Sequence, residues 1–329
     1  MIDLRYSSIT DSVPQFVIDC ISLSAKNINS YPDRYYCELK KVLATDAKTS
    51  SDCIFVGNGL DDVIDHLSRY FSDPFLIPTP AFSEFRRAAK RNKKQSISVP
   101  CFFRGKLDLE PLLNRSDLKN SVVWLANPNN PVGAEYDSGQ IHFLSKKAKL
   151  LILDEAYYEF SETVKTLDFS SNENVIRLRT FSKALGLAGI RLGYAIASKK
   201  LVTKLENARS FFVLNSFAAS AGLLLPKLRK LLPERITKIN SARSFFKKEL
   251  ESLGYNCIPS SSNFFLVDFG NDESAKKVLV FLEQNNILLL PPWDEEFDGL
   301  PNNYVRFVVS SKENLEQVVK ILKKFENGE

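Results

Sequence analysis

The sequence predicts an α/β fold, a mainly parallel sheet covered by helices and joined to a smaller α+β unit. Short apolar runs alternate with amphipathic stretches of helical period between about residues 50 and 200. Candidate chemical groups gather in the polar turns that end these runs. Beyond Lys199 the pattern becomes helical and then returns to short strands between helices.

Taken in order, the polar arm Asp3-Leu4-Arg5-Tyr6-Ser7-Ser8 precedes an apolar helix from Pro14 to Leu23. Cys53-Ile54-Phe55-Val56 is a short strand, closed by Gly57-Asn58-Gly59, and a helix opens at Asp61-Asp62-Val63-Ile64. Phe75-Leu76-Ile77-Pro78 is the next strand, and Pro80 to Phe85 starts a helix. Ser121-Val122-Val123-Trp124-Leu125-Ala126 is of the buried type, and the Asn- and Pro-rich turn after it is too loop-like for a helix cap. Tyr136 to Leu150 has an amphipathic helical pattern and leads into the run Leu150-Leu151-Ile152-Leu153, closed by Asp154.

After the strand Val175-Ile176-Arg177-Leu178, the pattern from Lys199 to Gly222 is helical, and a second helix spans Ile236 to Leu253. The carboxyl-terminal part alternates Cys257-Ile258, a run ending at Val267, a helix from Glu273 to Asn285, strands at Ile287 to Leu290 and Tyr304 to Val309, and a helix from Asn314. The expected division is a large domain of residues 29–221 and a small domain of 1–28 with 222–329.

Composition narrows the function classes. The 329 residues are 44% hydrophobic and 25% charged, enough for one large core and a smaller one. No apolar run approaches the roughly 20 residues that span a bilayer, and the amino terminus lacks a signal-peptide core, so no membrane partner and a cytoplasmic location are expected. Five widely spaced cysteines without a Cys-x-x-Cys pair indicate reduced thiols rather than a disulfide framework or zinc site. The net charge of +5 is spread along the chain; its densest patch, Arg86 to Lys94, is a solvated helix face, and no nucleic-acid partner is expected. His66 and His142 both fall in helical patterns, so a histidine triad or a metal cluster is poorly supported.

The chemistry concentrates in Arg179-Thr180-Phe181-Ser182-Lys183, followed by Leu187-Ala188-Gly189-Ile190-Arg191. Alone, a Ser-Lys pair is an ordinary exposed lysine at a helix start. Here two hydroxyls and a second cation flank it, a grouping that suits an aldehyde cofactor carrying a phosphate. Lys183 would form the Schiff base, and Thr180, Ser182 and Arg191 would hold the phosphate, since a guanidinium donates paired charge-assisted bonds to oxyanions. Asp154 stands at the carboxyl end of its strand, where open α/β sheets place ligand contacts. It can keep a pyridinium nitrogen protonated, while Tyr157 and Asn130 can hydrogen-bond a ring phenolate oxygen.

Together with Asn127-Pro128-Asn129-Asn130-Pro131-Val132-Gly133, these motifs resemble the fold-type I pyridoxal-phosphate enzymes, and within them the histidinol-phosphate aminotransferase group of the class I/II aminotransferases. The resemblance covers nearly the whole chain and implies the aspartate-aminotransferase-like fold, pyridoxal 5'-phosphate, and transfer of an amino group between an L-amino acid or amino alcohol and a 2-oxo acid. A decarboxylase of the threonine-phosphate type, or another specialised carbanion enzyme using the same cofactor, is the rival on the same fold. The resemblance also implies that Gly59, Leu60 and Asp61 offer backbone donors to the phosphate, with Leu60 replacing a smaller residue. Phe82 would stack on the pyridine, although Phe82 and Phe85 also fit helix core at i, i+3. Tyr31, otherwise a turn residue before Pro32, would reach the phosphate of a neighbouring subunit, implying a homodimer. Arg306, otherwise an odd interruption of an apolar strand, would bind the substrate carboxylate.

Two departures stand out. The family's Asn-Glu-Asn-Pro signature is missing from the amino-terminal arm. Relatives that act on histidinol phosphate carry an arginine for its phosphate where this chain has Leu290. The segment Leu290-Pro291-Pro292-Trp293-Asp294-Glu295-Glu296 would suit an apolar or cationic group better than a dianion, unless an arginine from elsewhere compensates.

Overall fold

The computed structural model describes residues 1–72, 74–161, 164–169 and 172–328. Its centre is a seven-stranded sheet in the order Ile54–Asn58, Leu192–Ile196, Val175–Thr180, Leu150–Asp154, Val122–Ala126, Phe75–Thr79, Ser96–Pro100. All strands run parallel except Leu192–Ile196, which is antiparallel to both neighbours. The three middle strands ending at Ala126, Asp154 and Thr180 are buried almost throughout, as expected of strands covered on both faces. Each fully buried Leu, Ile or Val there contributes about 1.5–3 kcal/mol from apolar burial. Their shared direction brings three polar strand ends to one edge, with Asp154 opposite both Ala126 and Leu178 in the ladder.

The second unit has an antiparallel sheet of Asn256–Cys257, Phe264–Asp268 and Tyr304–Val308, packed by helices Leu225–Ser252, Asp272–Gln284 and Lys312–Asn327. The amino-terminal arm joins it through Ile2–Asp3, parallel to Ile287–Leu288. Ile2, Leu4 and Val17 share one apolar cluster with Phe246, Phe265 and Leu322. Among the described residues, no helix is long and apolar enough to cross a membrane.

Several element boundaries differ from the sequence pattern for identifiable reasons. Pro80 does not start a helix: Ala81–Phe82 pairs with Phe297–Asp298, and the helix begins at Glu84. The helix expected over Tyr136 to Leu150 is Ser138–Lys147, capped by Asp137 accepting from Gln140 N, while Leu150 already belongs to the next strand. The span Lys199 to Gly222 is two helices, Lys199–Asn207 and Ser216–Gly222. Asn215 caps the second by accepting from Ala218 N at 2.8 Å. The helix expected from Ile236 begins at Leu225 and runs through Pro233, because buried Leu225, Leu228 and Leu232 hold its first turns despite the missing amide.

Candidate active site

The strand ends open into a cavity of about 410 Å³. Lys183, Asp154, Tyr157, Asn130, Thr180, Ser182, Arg191, Leu60, Asp61 and Phe82 all line it. Gly59, Arg306 and Tyr31 do not, and their positions differ. Gly59 lies behind Arg191 at φ +79°, and a Cβ there would come within 2.5 Å of Arg191 Nη2. A side chain at Gly193 would come within 2.7 Å of the Gly59 carbonyl carbon and the Leu60 nitrogen. These two glycines therefore let two backbone segments and a guanidinium crowd around the start of helix Gly59–Tyr70, whose first-turn amides lack intrahelical acceptors. Arg191 turns at φ +57° and meets Asp61 Oδ2 at 2.6 Å, while Thr180 Oγ1 accepts from Ser182 N at 3.1 Å.

Asp154 is nearly fully buried, and among the described residues its carboxylate accepts one hydrogen bond, from Ala156 N at 2.9 Å. Burial pushes its carboxyl up to about 7, against that backbone bond and the more distant Lys183 charge. Lys183 Nζ donates to Ser7 Oγ at 2.6 Å and lies 5.3 Å from the Tyr157 ring centroid. The Asn-rich turn divides its labour. Asn127 Oδ1 accepts from Tyr136 N and Asn129 Oδ1 from Val132 N, so both brace the turn. Asn130 alone of the three faces the cavity. Its Oδ1 accepts from Arg306 Nη1 at 2.8 Å, which leaves its amide N–H groups to donate into the cavity. Arg306 is buried behind that wall and also donates Nη2 to the Arg5 carbonyl at 2.8 Å.

Phe82 lines the cavity from its short strand, edge-on to Phe85 at 5.9 Å between centroids, whereas Phe85 packs into the core beside Trp124. The two phenylalanines thus divide the alternatives of stacking surface and core. Tyr31 is 83% exposed and stacks on Phe212 at 4.7 Å, away from the cavity of its own chain. The segment after Ile287–Leu288 also separates. Leu290 is buried with Val132, Ile258 and Leu266, Trp293 lies outside the cavity under Lys276, and only Glu296 reaches the cavity wall.

Sequence reasoning named Glu296 only within the segment from Leu290, and it missed Ser7 and Arg87. Arg87 and Glu84 face the cavity from one turn of helix Glu84–Arg91. The basic run around Arg86 concealed this, because it has the pattern of a solvated face. Nothing local marked Ser7, whose position depends on a long-range pairing of the arm.

The geometry has a counterpart in sequence comparison. Residues 3–322 match the family described as aminotransferase class I and II. The chain belongs to the class I and II aminotransferases. This aminotransferase is 33% identical over 304 residues to the histidinol-phosphate aminotransferase of Geobacillus sp. (strain WCH70), covering 89% of this chain and 81% of the relative. It is 32% identical to the enzyme of the same name from Bacillus licheniformis, over 92% and 85% of the two chains. In structure it is similar to the histidinol-phosphate aminotransferase from Sinorhizobium meliloti in complex with pyridoxal-5'-phosphate, with a TM-score of 0.91 and 25% identity over 99% of this chain and 91% of that one. The parallel sheet and its helices are the aspartate-aminotransferase fold of this family, and the cofactor of the enzyme is pyridoxal 5'-phosphate.

The residues present fit that cofactor. A buried carboxylate that forms no ion pair among the described residues suits a protonated ring nitrogen. A guanidinium, two hydroxyls and free helix amides, crowded together by glycine, suit a phosphate.

Proposed function

We propose that this aminotransferase works through Lys183 and Asp154, and that histidinol phosphate is its amino donor. The observation carrying the residue roles is the convergence of the lysine amine and the buried Asp154 carboxylate, which accepts from Ala156 N, on one cavity with Arg191, Thr180 and Ser182. When bound, pyridoxal phosphate supplies an aldehyde that condenses with amines and a ring that delocalises the electron pair of a carbanion. Arg191, Thr180, Ser182 and the first-turn amides of Leu60 and Asp61 would hold the phosphate. Asp154 would hold the ring nitrogen's proton, Tyr157 and Asn130 would donate to the ring oxygen, and Phe82 would offer its ring as a stacking surface. Lys183 Nζ would take up and return the donor's α-proton. Arg306 keeps three N–H groups beyond its bonds to Asn130 and Arg5, enough to receive an anionic group of the donor or acceptor.

Histidinol phosphate comes from the names of the relatives, and Arg87 supports it. With Leu290 buried in an apolar cluster, Arg87 is the guanidinium on the cavity wall besides Arg191. Its present carboxylate partners lie beyond hydrogen-bond distance, Glu295 at 3.8 Å and Glu84 at 3.9 Å, so it is available to a phosphate. The test is a visible-spectrum titration of the loaded enzyme. Histidinol phosphate is expected to convert the visible band, and Arg87→Gln to raise the concentration required by at least about tenfold. Conversion by ordinary amino acids alone, with no response to histidinol phosphate, would move the donor to a different class.

We infer further that the working unit is a cytoplasmic homodimer. An exposed aromatic patch of Tyr31, Tyr35, Phe211 and Phe212 supports a partner surface there, and five free cysteines support a reducing compartment. Sedimentation should give twice the chain mass at micromolar concentration. A monomer with full cofactor affinity would remove Tyr31 from the phosphate site.

A further inference from the structure

The amino-terminal arm enters the reacting centre at Ser7, which is 4% exposed. Ser7 Oγ accepts from Lys183 Nζ at 2.6 Å and lies 2.7 Å from Tyr157 Oη. An ammonium only donates, so the serine oxygen is the acceptor in the first bond. With one proton and two lone pairs, Oγ can donate to or accept from Tyr157 Oη, so Nζ, Oγ and Oη form one continuous hydrogen-bonded chain. The serine is held from both sides. Asn263 Nδ2 donates to the Ser7 carbonyl at 3.1 Å, and Arg306 Nη2 donates to the Arg5 carbonyl at 2.8 Å. Asn263 and Arg306 are both buried. Two buried donors from the carboxyl-terminal unit thus fix the backbone that presents the hydroxyl.

We propose that Ser7 is a positioning residue for amino transfer: its hydroxyl holds the Lys183 amine against Tyr157 and stabilises the protonated form of that amine. The inference rests on the reading of Lys183 as the reacting amine. No covalent bond to serine forms, and a proton gained by Nζ stays on Nζ while being shared with Oγ as a charge-assisted hydrogen bond.

The charged and titratable groups facing the lysine come from several elements. Asp154 ends its strand, Tyr157 follows it, and Glu296 comes from the segment before Phe297. Asp61 and Arg191 share the cavity wall. Among these neighbours Ser7 is the uncharged group bonded directly to Nζ. Removing its hydroxyl therefore deletes one acceptor and leaves the surrounding charge unchanged.

The test compares the wild type with Ser7→Ala and Ser7→Thr in two measurements. One is the pH midpoint of the visible absorbance of the loaded enzyme. The other uses the cofactor-free chain and follows the pH dependence of Lys183 acylation by an amine-reactive ester, read by peptide mass. Loss of an acceptor for the charged form should lower both midpoints in Ser7→Ala by on the order of one pH unit. Ser7→Thr should restore them to within a few tenths of a unit.

Superimposable profiles for Ser7→Ala and wild type would overturn the proposal. So would equal shifts in the alanine and threonine variants, since these would reflect packing rather than the hydroxyl. If Ser7→Ala lacks a cooperative melt, Ser7→Cys carries the same comparison with a weaker acceptor. If borohydride reduction of the loaded wild type leaves no cofactor mass on Lys183, the reading of that lysine as the reacting amine fails. The acylation profile still decides whether Ser7 controls its protonation.

Discussion

Lys183→Ala is expected to abolish covalent attachment of the cofactor and to lower turnover by on the order of 10⁴-fold or more, the scale for removing a nucleophile on which the other groups depend. Its fold should survive. Lys183 lies at the mouth of the strand edge, and its amine bonds Ser7 rather than a buried carboxylate. Borohydride reduction followed by mass measurement separates chemistry from binding. The wild type should gain the pyridoxyl mass, whereas the variant should retain the cofactor only through its phosphate contacts and lose it on denaturation. Turnover within tenfold of wild type would discard Lys183 as the proton carrier.

The second large effect is expected at Asp154, and its sign differs between the cofactor-free and loaded states. Burial raises this carboxyl to about 7. In the cofactor-free chain the folded state therefore binds the proton more tightly than the unfolded state, whose carboxyl titrates at roughly 4. Stability contributed by this site is present below that lower value. It declines as pH rises through the interval up to about 7 and stays low above it. Asp154→Asn removes the buried charge, so the cofactor-free variant should melt a few degrees above the cofactor-free wild type at pH 8 and close to it at pH 4.

With cofactor bound the order should reverse, because the wild-type carboxylate then faces a protonated ring nitrogen and the amide cannot hold that charge. Proton abstraction from the donor should slow by about 10²–10⁴-fold, the range for a group that tunes acid–base chemistry. The cofactor's phosphate contacts should keep the variant loaded. Near-normal deprotonation rates, or identical melting of the two cofactor-free proteins at pH 8, would remove Asp154 from the ring-nitrogen role.

Much of this site is written locally in the chain. Asp154 closes an apolar run, and such a run has few places in a soluble α/β protein other than a buried parallel strand. The run therefore determined both the strand and the exit of the carboxylate at its carboxyl edge. The same logic identified Thr180, Ser182 and Lys183 after the strand that ends at Thr180, and Gly59 before a helix amino terminus. Spacing alone does not separate the asparagines of the Asn-rich turn; the sequence reading singles out Asn130, and Asn130 lines the cavity. The turn's first and third residues became braces because Tyr136 N and Val132 N lie within reach, and the fourth was left to Arg306.

Tertiary structure decided the remaining features. The course of the arm depends on the parallel pairing of Ile2 with Ile287, a contact across almost the whole chain, so no local pattern reveals that Ser7 meets Lys183. Arg87 and Glu84 belong to a helix whose charged face has the pattern of a solvent face until the cavity opens against it. Leu290, standing where the resemblance implies a substrate-binding arginine, and nearby Trp293 go to an apolar cluster and to the surface. Side-chain periodicity selects which residues are buried, but long-range packing selects what they are buried against, and the substrate end of this site is built from such long-range contacts.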